Sequence, residues 1–430
     1  MVSKVHIRVS AIGSRGKLLA ILLFLHALLG SATAQSLAPP SQPVSRTLFG
    51  MHMHHEGAPT PWPAVPFGAW RLWDAYVSWS ALEPRKGEWR FETLDRYVAT
   101  AEQHHVEVLL VLGLTPGWAS ARPNEKSGYE PGNAAEPKDL EDWRAFVAQV
   151  AGRYKGRIGA YEIWNEPDLK QTWTGSVERM VTLTREASQV IRATDPAARI
   201  VSPAAAGVDV KWLAEFLAKG GGQYVDIIGY HFYVTPKPPE AMLPLIRKVQ
   251  QTMAEHGAGS KPLWNTETGW AHPKPFPSEE LAAAYVARSY VLNWAAGVER
   301  LYWYSWDNHR WVSLEMTQTD DRELRPAAKA YAQIQGWLVG AQLESCNEDR
   351  NHTWLCAVNR DGKPQWIVWN AKGTGRFIVP ENGRAVRVTG LLGESRPIPI
   401  KDTAVEIGPE PVLVTADTRR SASAKCDGRP

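Results

Sequence analysis

The sequence predicts an α/β protein with a large (β/α)8 barrel, also called a TIM barrel, followed by a small β-rich domain. Eight short apolar segments alternate with helical patterns over about 290 residues. The apolar segments are rich in Val, Ile and Leu without strict alternation, which is typical of parallel strands buried on both faces. A barrel of this kind usually takes ~250 residues and tolerates insertions.

A doubly wound sheet is the competing fold for the same alternation. It would usually carry a glycine-rich phosphate turn after its first strand. The one glycine triplet, at 220–222, instead follows a predicted helix and precedes a predicted strand. The barrel is therefore the favoured architecture.

The elements follow in chain order. The predicted strands are 47–53, 67–73, 106–113, 160–165, 198–205, 225–233, 261–268 and 300–306. The clearest predicted helices are 94–104, 139–154, 177–192, 239–255, 278–296 and 327–337. From about residue 340 the pattern changes to short strands broken by Asp-Gly, Lys-Gly and Asn-Gly turns, which predicts β-hairpins.

Five regions are predicted: a signal peptide at 1–34, a linker at 35–45, the catalytic barrel at 46–340, a small β-sandwich-like domain at 341–416 and a disordered tail at 417–430. The leader has four basic residues, a short apolar run at 18–29 and an Ala-Thr-Ala cleavage site at 32–34. We therefore expect a secreted or periplasmic protein without a membrane span after cleavage. An uncleaved inner-membrane anchor is the alternative.

Removing the leader's four basic residues lowers the formal net charge from +3 to −1. A nearly neutral protein has no global attraction for nucleic acid.

Export permits disulfides, and Cys346 and Cys356 flank a polar turn that a disulfide between them could close, whereas Cys426 is left over in the tail. The cysteines lack CxxC spacing and the histidines are scattered, so no metal and no cofactor are expected.

The aromatic composition favours a sugar ligand. The chain has 20 Trp and 13 Tyr but only 9 Phe. Tryptophan combines a flat apolar face with a polar edge, which matches the apolar faces and hydroxyl rims of sugars. The alternative is that these side chains fill a large core.

Two glutamates end apolar strands in similar frames. Glu166 ends Trp-Asn-Glu at 164–166, and Glu267 ends Trp-Asn-Thr-Glu at 264–267. In this barrel, groups at the C-terminal ends of strands face one site, and glycoside hydrolysis uses two carboxylates flanking the bond. A lone glutamate would more often be a salt-bridge partner, for example of Arg71, but the pair favours catalysis.

Four segments resemble glycoside hydrolase family 39, a member of clan A. They are 71–95, 115–123, Trp-Asn-Glu-Pro-Asp at 164–168 and Asn-Thr-Glu-Thr-Gly-Trp at 265–270. The resemblance covers essentially residues 46–415. Within the family, the segments Arg-Leu-Trp-Asp and Trp-Ala-Ser are most similar to those of bacterial glycosidases associated with exopolysaccharide and biofilm loci.

The resemblance implies a retaining double displacement on a polysaccharide or oligosaccharide. Glu166 would be the general acid and base, and Glu267 the nucleophile. Arg71 and Tyr233 would keep Glu267 ionised, and Asn165 would bond the sugar 2-hydroxyl. A monomer is expected.

Further residues are candidates for sugar binding through their places at strand ends and in the following loops. They are His54, Trp118, Trp173, His231, Trp270 and Trp306. For His231, a hydrogen-bonded barrel histidine is an equal alternative. For His54 and its neighbour His52 on strand one, a metal site lacks an indicated carboxylate partner. Asp74 and Asp307 are expected to hold hydrogen bonds of the site.

Three other functions compete with the hydrolase. A transglycosylase would use the same residues with a sugar hydroxyl in place of water. A non-catalytic carbohydrate-binding barrel would be supported by loss of one glutamate, and both are present. A C-terminal carbohydrate-binding module would need Trp366 and Trp369 on one face, but a regular strand places residues three apart on opposite faces.

Overall fold

The computed structural model describes residues 36–37, 39–55, 60–379, 385–398 and 404–416. The predicted leader and the whole predicted tail, with Cys426, lie outside these residues. Eight barrel strands are present, one in each predicted segment. They are β1 (Phe49–His52), β2 (Ala69–Leu72), β3 (Glu107–Leu112), β4 (Ala160–Ile163), β5 (Arg199–Val201), β6 (Ile228–His231), β7 (Leu263–Thr268) and β8 (Val298–Trp303).

Helices separate most of these strands. They are α1 (Trp79–Leu82), α2 (Glu92–Gln103), α3 (Leu140–Arg153), α4 (Val177–Thr194), α5 (Lys211–Ala218), α6 (Met242–Glu255), α7 (Glu279–Ala295) and α8 (Pro326–Leu338), with 3-10 turns at Arg46–Leu48, Gly221–Tyr224 and Pro239–Ala241. The side chains of Asp139, Ser176 and Ser278 accept a backbone N–H at the starts of α3, α4 and α7, as expected of N-cap residues.

The barrel strands are parallel, and their order is β5-β4-β3-β2-β1-β8-β7-β6. Isolated parallel bridges join Val201 to Ile227 and Ala205 to Tyr230. These bridges link β5 to β6 and complete the circuit. The (β/α)8 barrel predicted from the sequence is therefore confirmed.

The C-terminal unit is built from antiparallel strands. They are β9 (Gln342–Glu348), β10 (Thr353–Arg360), β11 (Lys363–Asn370), β12 (Gly375–Ile378), β13 (Ala385–Thr389), β14 (Ser395–Pro397), β15 (Ala404–Ile407) and β16 (Val412–Ala416). Asp361 and Gly362, which connect β10 to β11, have φ values of 53° and 75°. A two-residue turn with both φ values positive suits the twist of a hairpin, so the Asp-Gly pair forms the predicted turn.

One strand of this sheet comes from the other end of the described chain. Ser36 and Leu37 pair with Asn347 and Cys346 of β9. The sequence analysis assigned residues 35–45 to a linker, and the structure instead places these two residues in the sheet. A two-residue strand has too short a pattern to be seen in the sequence.

The two faces of the C-terminal sheet have different neighbours. Trp369 is buried in the core that the sheet shares with the barrel, where its ring stacks on Trp354 at 5.5 Å and its Nε1 donates to Glu240 at 3.0 Å. Trp366 belongs to a separate cluster with Phe377 of β12. The two tryptophans therefore lie on opposite faces and do not form one sugar platform.

The structure joins Cys346 and Cys356 in a disulfide across β9 and β10, where their Cα atoms are 3.9 Å apart. This is the pairing that the sequence analysis expects. In the described part of the chain, no helix has the length and hydropathy needed to cross a membrane.

We expect peptide mapping of the exported protein without reductant to recover Cys346 and Cys356 in one cross-linked peptide. The double variant Cys346→Ala/Cys356→Ala should lower the free energy of unfolding by about 2–3 kcal/mol. The loss is limited to this range because the disulfide closes only a short loop, and a disulfide stabilises less when its loop is short. Denaturant unfolding of both proteins measures the difference. Recovery of both cysteines as free thiols would contradict the pairing.

Candidate active site

A cavity of about 1040 Å³ opens at the C-terminal end of the barrel. Its lining comes mainly from the ends of β1, β2, β3, β4 and β8 and from the loops that follow them. Glu166 and Glu267 both reach this cavity. The two strand-end carboxylates singled out in the sequence therefore share one site.

The two carboxylates lie close together. An oxygen of Glu166, an oxygen of Glu267 and a ring nitrogen of His231 are all within 4.8 Å of one another. The side chain of Glu166 is 16% exposed and that of Glu267 is 8% exposed. Each carboxylate is thus largely removed from water while one edge remains open to the cavity.

The backbone around Glu166 is unusual. Trp164 and Glu166 have φ values of 73° and 45°, in the left-handed region that non-glycine residues rarely adopt. The N–H of Glu166 donates to the carbonyl of Ala204, which follows β5. Local strain of this kind is concentrated at functional sites, and here it turns the carboxylate of Glu166 into the cavity.

Glu267 is surrounded by hydrogen-bond donors. Arg71 donates through one terminal nitrogen to Oε2 at 2.8 Å, and the hydroxyl of Tyr233 donates to Oε1 at 2.8 Å. Burial, together with the negative charge of Glu166, raises the pKa of Glu267, while Arg71 and the Tyr233 hydroxyl act to lower it. The two residues named in the sequence analysis as partners of Glu267 are therefore both bonded to it.

Glu166 has a different environment. Burial, followed by the nearby Asp168 carboxylate, raises the pKa of Glu166 to about 7. Nδ1 of His231 lies 3.0 Å from its Oε1, and burial lowers the pKa of His231, so that its ring is neutral near pH 7. A carboxyl group of this pKa can hold a proton at neutral pH and can also release it.

Arg71 connects the site to the interior of the barrel. Its Nε donates to Glu162 at 2.6 Å, and its second terminal nitrogen donates to Oδ1 of Asn165 at 2.7 Å. Glu162 is fully buried and also accepts from Thr266. Glu162 was not among the site residues predicted from the sequence, although a carboxylate inside an apolar strand indicates a buried cationic partner.

Two further carboxylates organise the cavity wall, as expected from the sequence. Asp307 accepts the backbone N–H groups of His54 and His55, at 3.0 and 2.9 Å. Asp74 accepts from the hydroxyls of Tyr129 and Tyr304, at 2.7 and 2.9 Å. His54 lines the cavity, in agreement with its predicted position.

The predicted sugar-binding tryptophans lie elsewhere. Trp173, Trp270 and Trp306 are buried in the main core and do not line the cavity. Trp118 lies beside a separate depression of about 420 Å³, with its Nε1 bonded to the carbonyl of Glu83. These four residues therefore have no face open to a sugar in the cavity of Glu166 and Glu267.

Of the Trp and Tyr residues that line the cavity, Tyr233 alone was predicted from the sequence. The five that were not predicted are Trp73, Tyr76, Tyr129, Tyr304 and Trp311. All five lie beyond the ends of the barrel strands, where sequence periodicity does not tell which way a side chain points. The glutamates were predictable because both follow Trp-Asn frames at the ends of apolar segments.

By distance alone, Glu166, His231 and Glu267 could also hold a metal ion, and they form such a group within the described residues. The positive charge that faces Glu267 in this structure is that of Arg71. Arg71 and the Tyr233 hydroxyl thus stabilise the ionised form of Glu267. The sequence analysis expected no metal, and that expectation stays a prediction.

Comparison with known proteins identifies the family. The sequence model of the family described as glycosyl hydrolases family 39 matches residues 80–319 of this chain. A beta-xylosidase from Geobacillus stearothermophilus is 25% identical over 228 residues, which are 46% of this chain and 45% of that protein. A beta-xylosidase from Caldicellulosiruptor saccharolyticus is 33% identical over 115 residues, which are 24% of this chain and 23% of that protein. The chain thus matches less than half the length of these relatives.

Solved structures share the fold over most of the chain. A family 39 glycoside hydrolase from the gut symbiont Bacteroides cellulosilyticus WH2 has a TM-score of 0.71 at 18% identity, covering 87% of this chain and 82% of that one. A family 39 beta-xylosidase from Caulobacter crescentus has a TM-score of 0.65 at 17% identity, covering 89% and 98%. Because the family model spans more than half of the 430 residues, this protein belongs to glycosyl hydrolase family 39.

Proposed function

We propose that the protein is a retaining glycosidase that cleaves β-linked glycans by double displacement. One observation carries the proposal: Glu166 and Glu267 approach within 4.8 Å across one cavity, and only the oxygens of Glu267 accept from Arg71 and the Tyr233 hydroxyl. Retaining enzymes hold their carboxyl groups about 5–5.5 Å apart, whereas inverting enzymes leave about 6.5–9.5 Å for a water molecule. The short separation supports the retaining mechanism.

In the first step, Glu267 attacks the anomeric carbon while Glu166 gives its proton to the glycosidic oxygen that leaves. Arg71 and Tyr233 hold the nucleophile in place through both of its oxygens. The Oδ1 of Asn165 accepts from Arg71, which fixes the amide and leaves its NH2 group to bond the sugar 2-hydroxyl. Such a bond strengthens in the transition state.

In the second step, ionised Glu166 takes a proton from water, and the oxygen of that water attacks the glycosyl-enzyme. The bond to Glu267 breaks, and the sugar is released with its original anomeric configuration. Nδ1 of His231, at 3.0 Å, can donate to the ionised form of Glu166. The neutral ring of His231 also avoids a fixed positive charge that would keep Glu166 deprotonated.

We propose a bacterial exopolysaccharide as the natural substrate of an exported, monomeric enzyme. The similarity of the segments around Arg71 and Trp118 to those of exopolysaccharide-associated glycosidases supports this assignment, and the leader sequence supports export. The relatives named beta-xylosidase and endo-1,4-beta-xylanase make β-linked xylose polymers the comparison to include.

Activity of the purified mature protein on a panel of β-glycans and bacterial exopolysaccharides tests the proposed function. We expect release of reducing ends from at least one polymer and β-configured first products by proton NMR. Adding an acceptor sugar separates hydrolysis from transglycosylation. First products of inverted configuration would overturn the double displacement.

The pKa values predict the pH dependence. Glu166 must be protonated for the first step, so we expect kcat/KM to fall as pH rises through about 7, the raised pKa of Glu166. Glu267 must be ionised, so kcat/KM should also fall in acid. The measurement is a pH profile on an alkyl or oligosaccharide substrate with a poor leaving group. In Glu166→Ala, assayed on an aryl glycoside with an acidic phenol, the fall near pH 7 should disappear, and its persistence would contradict the assignment.

A further inference from the structure

Exposed aromatic side chains are confined to one part of the described surface. Among the described residues, three are more than a third exposed: Tyr76 at 66%, Tyr129 at 42% and Trp311 at 61%. All three line the cavity of Glu166 and Glu267. The large aliphatic side chains that are equally exposed lie away from this cavity; they are Val208, Ile378 and Leu392.

The aromatic rim, defined as Tyr76, Tyr129 and Trp311, comes from three different loops. These loops follow β2, β3 and β8, which lie on one side of the barrel circuit together with β1. In contrast, β6 contributes only Tyr233 to the cavity lining. The cavity therefore extends from the two glutamates toward the side that carries the rim.

Tyr76, one member of the rim, has a strained backbone conformation. Asp74 and Tyr76 have φ values of 55° and 59°. A bulky residue rarely adopts this left-handed conformation, and such strain persists where the surrounding structure imposes it, often at functional sites. Burial of its own ring does not explain the conformation of Tyr76, because that ring is mostly exposed.

Hydrogen bonds hold the hydroxyls of the two tyrosines and the loop of Trp311, and the Arg310 guanidinium lies over the Trp311 ring, 5.2 Å from its centroid. The Tyr76 hydroxyl lies 3.1 Å from Nε2 of His55, whose backbone N–H donates to Asp307. The Tyr129 hydroxyl donates to Asp74 at 2.7 Å. The Trp311 loop is held by the bond from the Trp311 N–H to Oδ1 of Asn308, at 3.1 Å.

These bonds lead back to the cavity floor. Nδ2 of Asn308 donates to the Tyr304 hydroxyl at 3.1 Å, and that hydroxyl donates to the same Asp74 that holds Tyr129. Tyr129, Trp311 and the wall near the glutamates are thus parts of one network. Rings ordered in advance lose little conformational freedom when a ligand binds.

We propose that the aromatic rim binds sugar units beyond the unit attacked at Glu267, so that the preferred substrate is a chain of several sugars. The inference rests on the proposed function and adds the part of the substrate that the rim recognises. Aromatic rings present flat apolar faces with polar edges, and these faces complement the C–H faces of pyranose rings. A ligand of one sugar would leave the rim unused.

The test compares kcat/KM on an aryl monoglycoside and on β-linked oligosaccharides of two to six units of the cleaved linkage. For the unaltered enzyme we expect kcat/KM to rise with length. Tyr76→Ala and Trp311→Ala should each lower kcat/KM on the longest oligosaccharide about 3- to 10-fold more than on the aryl monoglycoside, the range expected of one aromatic contact.

Two control variants separate stacking from general damage. Tyr76→Phe keeps the ring and loses only the bond to His55, so it should retain most of the length dependence. Val208→Ala removes two methyl groups from a residue that is 69% exposed in the loop after β5, outside the cavity. Its length dependence should equal that of the unaltered enzyme, and thermal unfolding confirms that all variants fold.

An equal loss on all lengths in Tyr76→Ala and Trp311→Ala, or no loss on any, would overturn the rim as a sugar-binding site. Failure of the proposed function has a different signature, since the unaltered enzyme would then cleave no glycoside. In that case, calorimetric titration of a β-1,4-linked xylose hexasaccharide into the Glu267→Gln protein with and without Trp311→Ala decides the matter. Equal affinity of the two proteins, or no binding, would refute the rim.

Discussion

Replacing Glu267 with Gln should abolish turnover. An amide is a poor nucleophile, so the glycosyl-enzyme cannot form, and loss of a nucleophile costs roughly 10⁴-fold or more. The expectation follows from the position of Glu267 at the end of β7, where Arg71 and Tyr233 bond its two oxygens. The change leaves the volume of the side chain almost unaltered, so the fold should be kept.

A mechanism-based fluorosugar inactivator provides the direct measurement. Mass spectrometry of the digested enzyme should find the label on the peptide that contains Glu267. The matched control is Glu162→Gln. Glu162 is also bonded to Arg71, but it lies beneath the cavity and does not line it. The Glu162→Gln protein should still be labelled at Glu267, although we expect it to be less stable than the unaltered enzyme. Label on another residue, with Glu267 unmodified, would refute the nucleophile assignment.

The sequence predicted the barrel because its signals are local. Each strand is a short apolar run, and each long helix has a periodic pattern with a start residue such as Asp139 or Ser278. The elements that were missed include the helices α1 and α5, with four and eight residues, and the strand Ser36–Leu37. Elements this short carry too few residues for a pattern and are held by packing or pairing with distant parts of the chain.

The same distinction separates the parts of the site that were predicted from those that were not. Glu267 lies inside the end of β7, and Glu166 follows β4 in a similar Trp-Asn-Glu frame, so the matching frames made both predictable. In contrast, Trp306 lies three residues beyond β8 and is buried, while Trp311, five residues further along, is exposed at the cavity. The conformation of the loop decides whether such a tryptophan is buried or exposed, and the amino-acid composition does not predict that conformation.

Replacing Glu166 with Ala should affect substrates in proportion to their need for a proton. A natural glycan has a poor leaving group, and positioned proton transfer typically contributes ~10²–10⁴-fold. Its hydrolysis should therefore fall by about that factor. An aryl glycoside with an acidic phenol leaves without a proton, so its first step should survive the substitution.

The second step of the Glu166→Ala enzyme lacks a base, because the carboxylate that takes a proton from water is gone. The glycosyl-enzyme on Glu267 should accumulate and appear as a burst of phenol followed by slow turnover. Azide attacks without needing a base, so adding it should restore turnover on the aryl glycoside. A retaining enzyme acting on a β-linked substrate would then release a β-glycosyl azide.

A purely structural role of Glu166 makes the opposite prediction. Glu166 contacts His231 at 3.0 Å, so its removal could disturb the site without any loss of proton transfer. That disturbance would lower the rates on both substrate types by a similar factor, and azide would restore neither. His231→Asn is the matched control, because it removes the neighbouring ring and keeps the carboxylate. It should show no azide rescue, since its own base can still activate water. Selective loss on natural glycans together with azide rescue confined to Glu166→Ala would therefore identify Glu166 as the proton donor and base.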